Sequence, residues 1–170
     1  MDEINDLIKG LESFIPAQLD RMPDIELYKD QVITYLKKEL ALFQGPLDTE
    51  IITSSMINNY VKDGIVPRPV KKRYSKAQLA PLIMACILKR ALSIKQIKTI
   101  TSTIDAESGK EVYERFCDTL SSTIREEIEK LTKSSLTVSE MALSYSLKAS
   151  IDATIADGLL KLAAGDNDNK

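Results

Sequence analysis

Thr53-Ser54-Ser55-Met56-Ile57-Asn58-Asn59-Tyr60-Val61-Lys62-Asp63-Gly64 is the stretch from which the fold can be read. Thr53 has the short side-chain oxygen that caps a helix N-terminus, and Gly64 the conformational freedom that stops one. Between them Met56, Ile57, Tyr60 and Val61 share one face. Ser55, Asn58, Asn59 and Lys62 fall on the other, at spacings of three and four. Asn is an indifferent helix former, so two in succession at mid-helix are not there for propensity. Short polar side chains on an exposed helix suit a DNA major groove. Asn can pair bidentately with adenine, and Ser or Lys can reach base edges or phosphates.

Downstream, Pro67 and Pro69 forbid helix, and Lys71-Lys72-Arg73-Tyr74 follows, which leaves room for a small wing between residues 65 and 74. Ser75 with Gln78 reads as a capping box opening a helix to about Ala91. Pro81 inside it removes one hydrogen bond and predicts a kink or a later start. Ser93 with Gln96 is a second box, and Ile94, Ile97 and Ile100 line one side of the helix it opens. After a loop at 105–109, Ser108 with Glu111 caps a helix bearing Val112, Phe116, Leu120, Ile124, Ile128 and Leu131. Thr137 with Glu140 caps a last helix ending near Ala164, and residues 165–170 read as a disordered polar tail. Upstream, Ile4, Leu7, Ile8 and Leu11 mark a short helix stopped near Pro16. Tyr28, Val32, Tyr35, Leu36, Leu40 and Phe43 predict another over 24–43, ended by Gly45-Pro46. Convincing alternating strand patterns are absent, so the expected fold class is all-α.

Net charge over the 170 residues is only −2, but its distribution is uneven. Residues 51–104 carry ten basic side chains (Lys62, Arg68, Lys71, Lys72, Arg73, Lys76, Lys89, Arg90, Lys95 and Lys98) against Asp63 alone, a balance of +9. The remainder carries thirteen basic and twenty-four acidic residues, or −11. A localised basic field is the electrostatic footprint of a polyanion partner. Ser55, Asn58, Asn59 and Lys62 are the base-edge candidates. Thr53, Ser54, Tyr60, Arg68, Lys71, Lys72, Arg73 and Tyr74 are the candidates for the DNA backbone.

Other chemistries are poorly supported. With no histidine there is no His-based triad or general base. Six glycines, none in a phosphate-cradling array, offer no nucleotide loop. Cys86 and Cys117 form neither a CxxC nor a disulfide framework, and one cysteine without histidine is poor metal-ligand material. Neither metal nor cofactor is expected. Glu126, Glu127 and Glu129 read as a solvated face and not as paired catalytic carboxylates, so no enzyme is expected. An acidic start and a longest apolar run of only residues 79–88 predict a cytoplasmic protein with no membrane partner.

Tyr60-Val61-Lys62-Asp63-Gly64-Ile65-Val66-Pro67, Lys72-Arg73-Tyr74, Leu79, Leu82, Leu92-Ser93-Ile94 and Ile97 together resemble the winged helix-turn-helix of MerR-type transcription regulators. The run Met56 to Gly64 with Lys71-Lys72-Arg73-Tyr74-Ser75 resembles, more closely, a bacterial family known mainly as an uncharacterised domain. The likeness covers roughly residues 26–104. It implies that the helix before Gly64 is the recognition helix, that Arg73-Tyr74 belongs to the wing, and that two further helices pack behind. Two positions depart from the MerR pattern. Asn58 stands where Arg is usual, and Gly45-Pro46 breaks the helix expected near 43–50. The scaffold helix then falls to residues 24–43 or to one turn at 47–51.

The organisation expected is N-terminal helices over 1–45, a winged helix-turn-helix over 46–104 and a helical dimerisation or effector region over 105–164. The last helix carries a row of large residues (Leu143, Leu147, Ile151, Ile155, Leu159 and Leu162). Beside it runs a heptad-spaced row of small ones, in which Ala149, Ala153, Ala156 and Leu160 are the candidates for a homodimer interface. The alternative is an intramolecular hairpin with residues 109–131. Tyr28, Tyr35, Tyr113 and Tyr145 are available to line a pocket for an unknown small-molecule effector. The functional expectation is sequence-specific binding of double-stranded DNA as a dimeric bacterial transcription regulator. The alternative is an all-helical protein-protein interaction module whose basic patch docks an acidic partner.

Overall fold

The structure, a computed structural model, describes residues 2–44, 50–102 and 109–165. Within them the chain is helical almost throughout: α1 (Asp2–Ser13), α2 (Lys29–Glu39), α3 (Ser54–Lys62), α4 (Lys76–Leu88), α5 (Ile94–Ser102), α6 (Gly109–Lys133) and α7 (Val138–Gly165). A short 3-10 turn spans Ala41–Phe43, and two strands of two residues each, β1 (Leu27–Tyr28) and β2 (Arg73–Tyr74), complete the elements. The all-α expectation is met. The Gly45-Pro46 break, the 47–51 turn, the Ser108 cap and the polar tail lie wholly or largely outside the described residues.

The helix expected over 24–43 is shorter, because its first residues are taken by a ladder. Leu27 pairs with Tyr74 and Tyr28 with Arg73, antiparallel. Leu27 is buried and Tyr28 exposed, the alternation of a strand. Tyr28 keeps extended backbone (φ −75°, ψ 158°), and its N–H donates to Gln31 Oε1 at 2.9 Å, so α2 starts only at Lys29. Val32 and Leu36 then bury α2's inner face completely.

The ends of α3 are those its sequence predicts. Thr53 Oγ1 accepts from the Met56 N–H at 3.2 Å. At the other end Gly64 adopts φ +74°. Its N–H donates to the Val61 carbonyl at 3.2 Å and the Ile65 N–H to the Tyr60 carbonyl at 2.9 Å, which satisfies the last orphan acceptors. The chain then passes the prolines and doubles back in a tight turn, where the Arg73 N–H donates to the Val70 carbonyl at 2.9 Å.

The Ser75–Gln78 box opens α4 as expected: the Ser75 N–H and hydroxyl both donate to Gln78 Oε1 at 2.8 Å. No later start is forced by Pro81, and the helix ends at Leu88 and not near Ala91. The bond Pro81 removes is the one to the Ala77 carbonyl, and Ala77 is exposed at the open start of the helix. The box at Ser93–Gln96 opens α5, with the Ser93 N–H and hydroxyl donating to Gln96 Oε1 at 2.8 and 2.7 Å.

One hydrophobic core runs from Ala17 to Cys117. It crosses the boundary expected at 104–105, because Tyr113 and Cys117 from the first half of α6 sit in the same cluster as α2, α3 and α4. The Tyr113 hydroxyl donates to the Ala17 carbonyl at 2.8 Å and ties the two ends of that core together. Outside it, α1 packs on α6, while α7 touches chiefly α5. Among the described residues of α7 only Met141 is buried. No described helix is long and apolar enough to cross a membrane.

The foot of α7 is anchored on α6 through Glu127. Its carboxylate accepts from Lys130 Nζ at 2.7 Å, from the Tyr145 hydroxyl at 2.8 Å and from Lys148 Nζ at 2.9 Å. These donors, Lys130 foremost and then Lys148 and Tyr145, hold its pKa down at about 2. In an unfolded chain it would titrate near about 4.3. The contribution is therefore complete above that value and lost as pH falls through about 2. Glu127→Gln should lower stability at neutral pH and flatten the loss of stability between pH 4 and 2. Urea titrations of both proteins across that window check this. Equal acid sensitivity would show that the anchor contributes nothing.

Candidate nucleic-acid interface

The division of α3 matches its sequence. Ile57 and Tyr60 are buried and Met56 and Val61 half-buried, whereas Ser54, Ser55, Asn58, Asn59 and Lys62 are exposed. Behind the helix, Lys89 at the end of α4 donates to the carbonyls of Ile51 at 2.5 Å and Glu50 at 3.4 Å, holding the segment that leads into the Thr53 cap. Partial burial lowers the Lys89 pKa, with Arg90 adding to the effect and Cys86 opposing it.

The outer face of α3 is joined to the hairpin through Lys29, which the sequence pattern did not single out, and its neighbour Tyr28. Lys29 Nζ, at the start of α2, donates to Asn58 Oδ1 at 2.7 Å. Its neighbour Tyr28 pairs across the ladder with Arg73. Arg73 Nη2 donates to the Tyr28 hydroxyl at 3.3 Å, and the guanidinium lies over the ring at 5.3 Å from its centre. Lys71 and Lys72 stand exposed at the hairpin tip and Arg68 on its incoming limb. The Gln78 amide donates to the Arg68 carbonyl at 3.5 Å, so the side chain that opens α4 also holds the hairpin. The result is a strip running from exposed Asn59 and Asn58 over half-buried Lys29 and exposed Tyr28 to Arg73, with Lys71 and Lys72 beyond.

Three backbone candidates need correction. Tyr60 and Tyr74 are 2% and 3% exposed and belong to the core, where burial raises both pKa values, that of Tyr60 to about 12. Neither presents a hydroxyl to a phosphate. Thr53 is half-buried with its hydroxyl engaged as the cap. Nor is the basic excess of residues 51–104 one patch. Lys76 pairs with Asp24 at 2.6 Å, Lys89 faces inward, Arg90 holds the Phe43 carbonyl at 3.2 Å, and Lys95 and Lys98 ride on α5.

The small-residue row of α7 is also placed differently from the expectation. Ala153, Ala156 and Leu160 are half-buried on the side turned to α5, where Gln96 Nε2 donates to Asp157 Oδ1 at 2.9 Å. Ala149 alone of the four dimer candidates is exposed, and the large row faces water instead. The four tyrosines do not meet in one pocket. Tyr28 is exposed, Tyr113 is buried, Tyr145 is bound to Glu127, and the Tyr35 hydroxyl is buried with no hydrogen-bond partner among the described residues. Both cysteines are buried with pKa values raised by desolvation, Cys86 to about 12. Among the described residues no group of three or more acidic or cysteine side chains is placed to hold a metal.

These features define an all-helical protein built on one core, with a basic hairpin beside an exposed polar helix. Over residues 17–119 the chain matches the family described as Domain of unknown function (DUF1836), and it belongs to that family. The match coincides with the core from Ala17 to Cys117 and leaves α7 outside it. No curated protein and no solved structure matches the chain.

The hairpin tip carries strain. Lys71 and Lys72 both have positive φ, +48° and +63°, a conformation that Gly adopts freely and L residues other than Asn and Asp at a cost of about 1–2 kcal/mol per residue. Asn-Gly is the pair that such a turn prefers. The double change Lys71→Asn, Lys72→Gly should raise stability by about 1 kcal/mol. Thermal unfolding measures it. A lower melting temperature would mean that the two lysines make contacts that outweigh the backbone cost.

Proposed function

We propose that this protein binds double-stranded DNA sequence-specifically as a dimeric bacterial transcription regulator, through a winged helix-turn-helix of the MerR type. In this reading α2 and α3 form the helix pair, α3 lies in the major groove, and residues 67–74 form the wing against the backbone. The observation that carries it is the Lys29–Asn58 and Tyr28–Arg73 pair of contacts, which sets the polar face of α3 and the cationic hairpin side by side. Asn58 and Asn59 then have different parts. Bidentate pairing with adenine uses both the carbonyl oxygen and the amide of Asn. Lys29 already occupies Asn58 Oδ1, so Asn58 must release Lys29 to a phosphate before it can read a base, whereas no described hydrogen bond engages the Asn59 side chain. Asn59 is thus the principal reader. The strained lysines at the tip fit the same reading, since backbone strain held at an exposed basic turn points to a role for the side chains.

Selection of bound fragments from random duplexes, followed by titration, tests the proposal. Asn59→Ala should cost about 1–3 kcal/mol on the selected site and little on random DNA. Neutralising Lys71 and Lys72 together should weaken binding to every sequence. It should also flatten the plot of log affinity against log salt by about 0.9 for each phosphate no longer neutralised. Absence of any preference among duplexes sinks the reading and leaves the basic strip as a docking face for an acidic protein. An unchanged salt slope takes the wing out of the interface.

A further inference from the structure

One face of α4 is built from small residues. Ala77, Ala80, Pro81 and Met84 recur along it at three and four, while the bulky Leu79, Leu82 and Ile83 point elsewhere. This face, with Val112 and Tyr113 of α6 and with Ile65 and Pro67 beyond α3, lines a cavity of about 450 Å³. That volume is within the range of about 300–1,000 Å³ in which proteins hold small molecules. Ile65, Ala80, Met84 and Tyr113 are buried, so most of the wall is apolar. The polar groups on it are of one kind. Pro81 has no N–H, so the Ala77 carbonyl lacks its helical donor, and because both residues line the cavity the unmatched acceptor lies at its wall. The Thr101 hydroxyl donates to the Lys98 carbonyl at 3.1 Å and has only lone pairs left to offer. The Tyr113 hydroxyl is likewise committed to the Ala17 carbonyl. Lys76 and Lys110 each have a carboxylate partner, Asp24 at 2.6 Å and Glu114 at 3.7 Å.

We propose that this cavity between α4 and α6 is a binding site for a small neutral aromatic molecule carrying one N–H or O–H donor, of the indole or phenol class. Three observations select that chemistry. The wall presents acceptors, so its occupant has to donate, and a donor answers the carbonyl that Pro81 leaves unmatched. Both lysines are already paired. A carboxylate would have to draw one of them from Asp24 or Glu114, and a cation would meet two ammonium groups. Lastly, the Met84 thioether and the Pro81 ring line the space, and a thioether makes favourable contacts with an aromatic ring. Water is a poorer occupant, because it needs two to four polar partners and most of this wall is apolar. A molecule seated here touches α4, α6 and the Ile65–Pro67 stretch that leads from α3 to the hairpin. It lies outside the exposed basic strip, so the site stands whether or not that strip binds DNA.

Titration of the full chain into indole tests the proposal. The chain has no tryptophan, so indole fluorescence excited beyond the tyrosine band reports burial of the probe directly. The expected result is a saturable blue shift, with 1-methylindole, which lacks the donor, bound about tenfold more weakly. Ala80→Leu, which fills the cavity, should abolish the shift while circular dichroism shows unchanged helix content. Pro81→Ala gives α4 its missing hydrogen bond and so makes it a better helix. In that variant the preference for indole over 1-methylindole should disappear. Should Ala80→Leu fail to fold, Pro81→Ala carries the test. Absence of a saturable shift overturns the proposal. So does a shift that survives in a folded Ala80→Leu, which would move the indole to another surface such as the exposed row of α7, and so does a preference for indole that persists in Pro81→Ala. Equal affinity for 1-methylindole in the natural chain overturns the role of the donor. Tighter binding of indole-3-acetate than of indole overturns the neutrality of the occupant.

Discussion

α4 is apolar on every side, and no single neighbour can cover it. Leu79, Leu82, Ile83, Met84, Ala85 and Cys86 are all buried, and full burial of each large aliphatic residue contributes about 1.5–3 kcal/mol. A helix of that composition has to be enclosed, and the enclosing elements come from both directions along the chain. β2 leads into it, α5 and α6 return against it, and α2 and α3 complete the cluster. Its two ends also reach the exposed basic strip. Gln78 at the start holds the Arg68 carbonyl of the hairpin, and Lys89 at the end holds the carbonyls that lead into α3. The burial of one helix thus fixes the separation between the hairpin and α3.

Around that centre the chain uses very small pieces of β structure to large effect. Two residues of β1 and two of β2 are too few to be stable alone. Their backbones pair because Leu27 and Tyr74 both enter the core and leave Tyr28 and Arg73 stacked outside. This pairing carries Lys29 to Asn58. The consequence is a basic residue from the N-terminal third lying beside a helix some thirty residues further along the chain, in a strip that the proposed DNA-binding function uses as one surface.

α7 stands apart from this arrangement. The family match ends at residue 119 and the core at Cys117, so α7 adds nothing to the enclosure of α4. Its attachment is polar through Glu127 at the foot and Asp157 against α5, and apolar through Met141, Ala153, Ala156 and Leu160. That attachment uses one side of the helix and leaves the row from Leu143 to Leu162 exposed.

Much of this was legible in the residues themselves, where the deciding interactions are local. The Thr53 cap, the Gly64 stop, the boxes at Ser75, Ser93 and Thr137, and the two faces of α3 all depend on partners within four residues, and each stands where periodicity puts it. What depends on distant partners was not legible. The sequence could not show that residues 24–28 leave the helix, because the strand Leu27 and Tyr28 form needs Arg73 and Tyr74 to pair with. It could not separate the cations of the strip from Lys76, Lys89 and Arg90, because those three are engaged by Asp24, Ile51 and Phe43 from elsewhere in the chain. For α7 it held two apolar rows and no means of ranking them. Tertiary packing alone turned Ala153, Ala156 and Leu160 toward α5 and left Leu143, Leu147 and Ile151 to water, since which face of a doubly apolar helix is covered depends on what stands next to it.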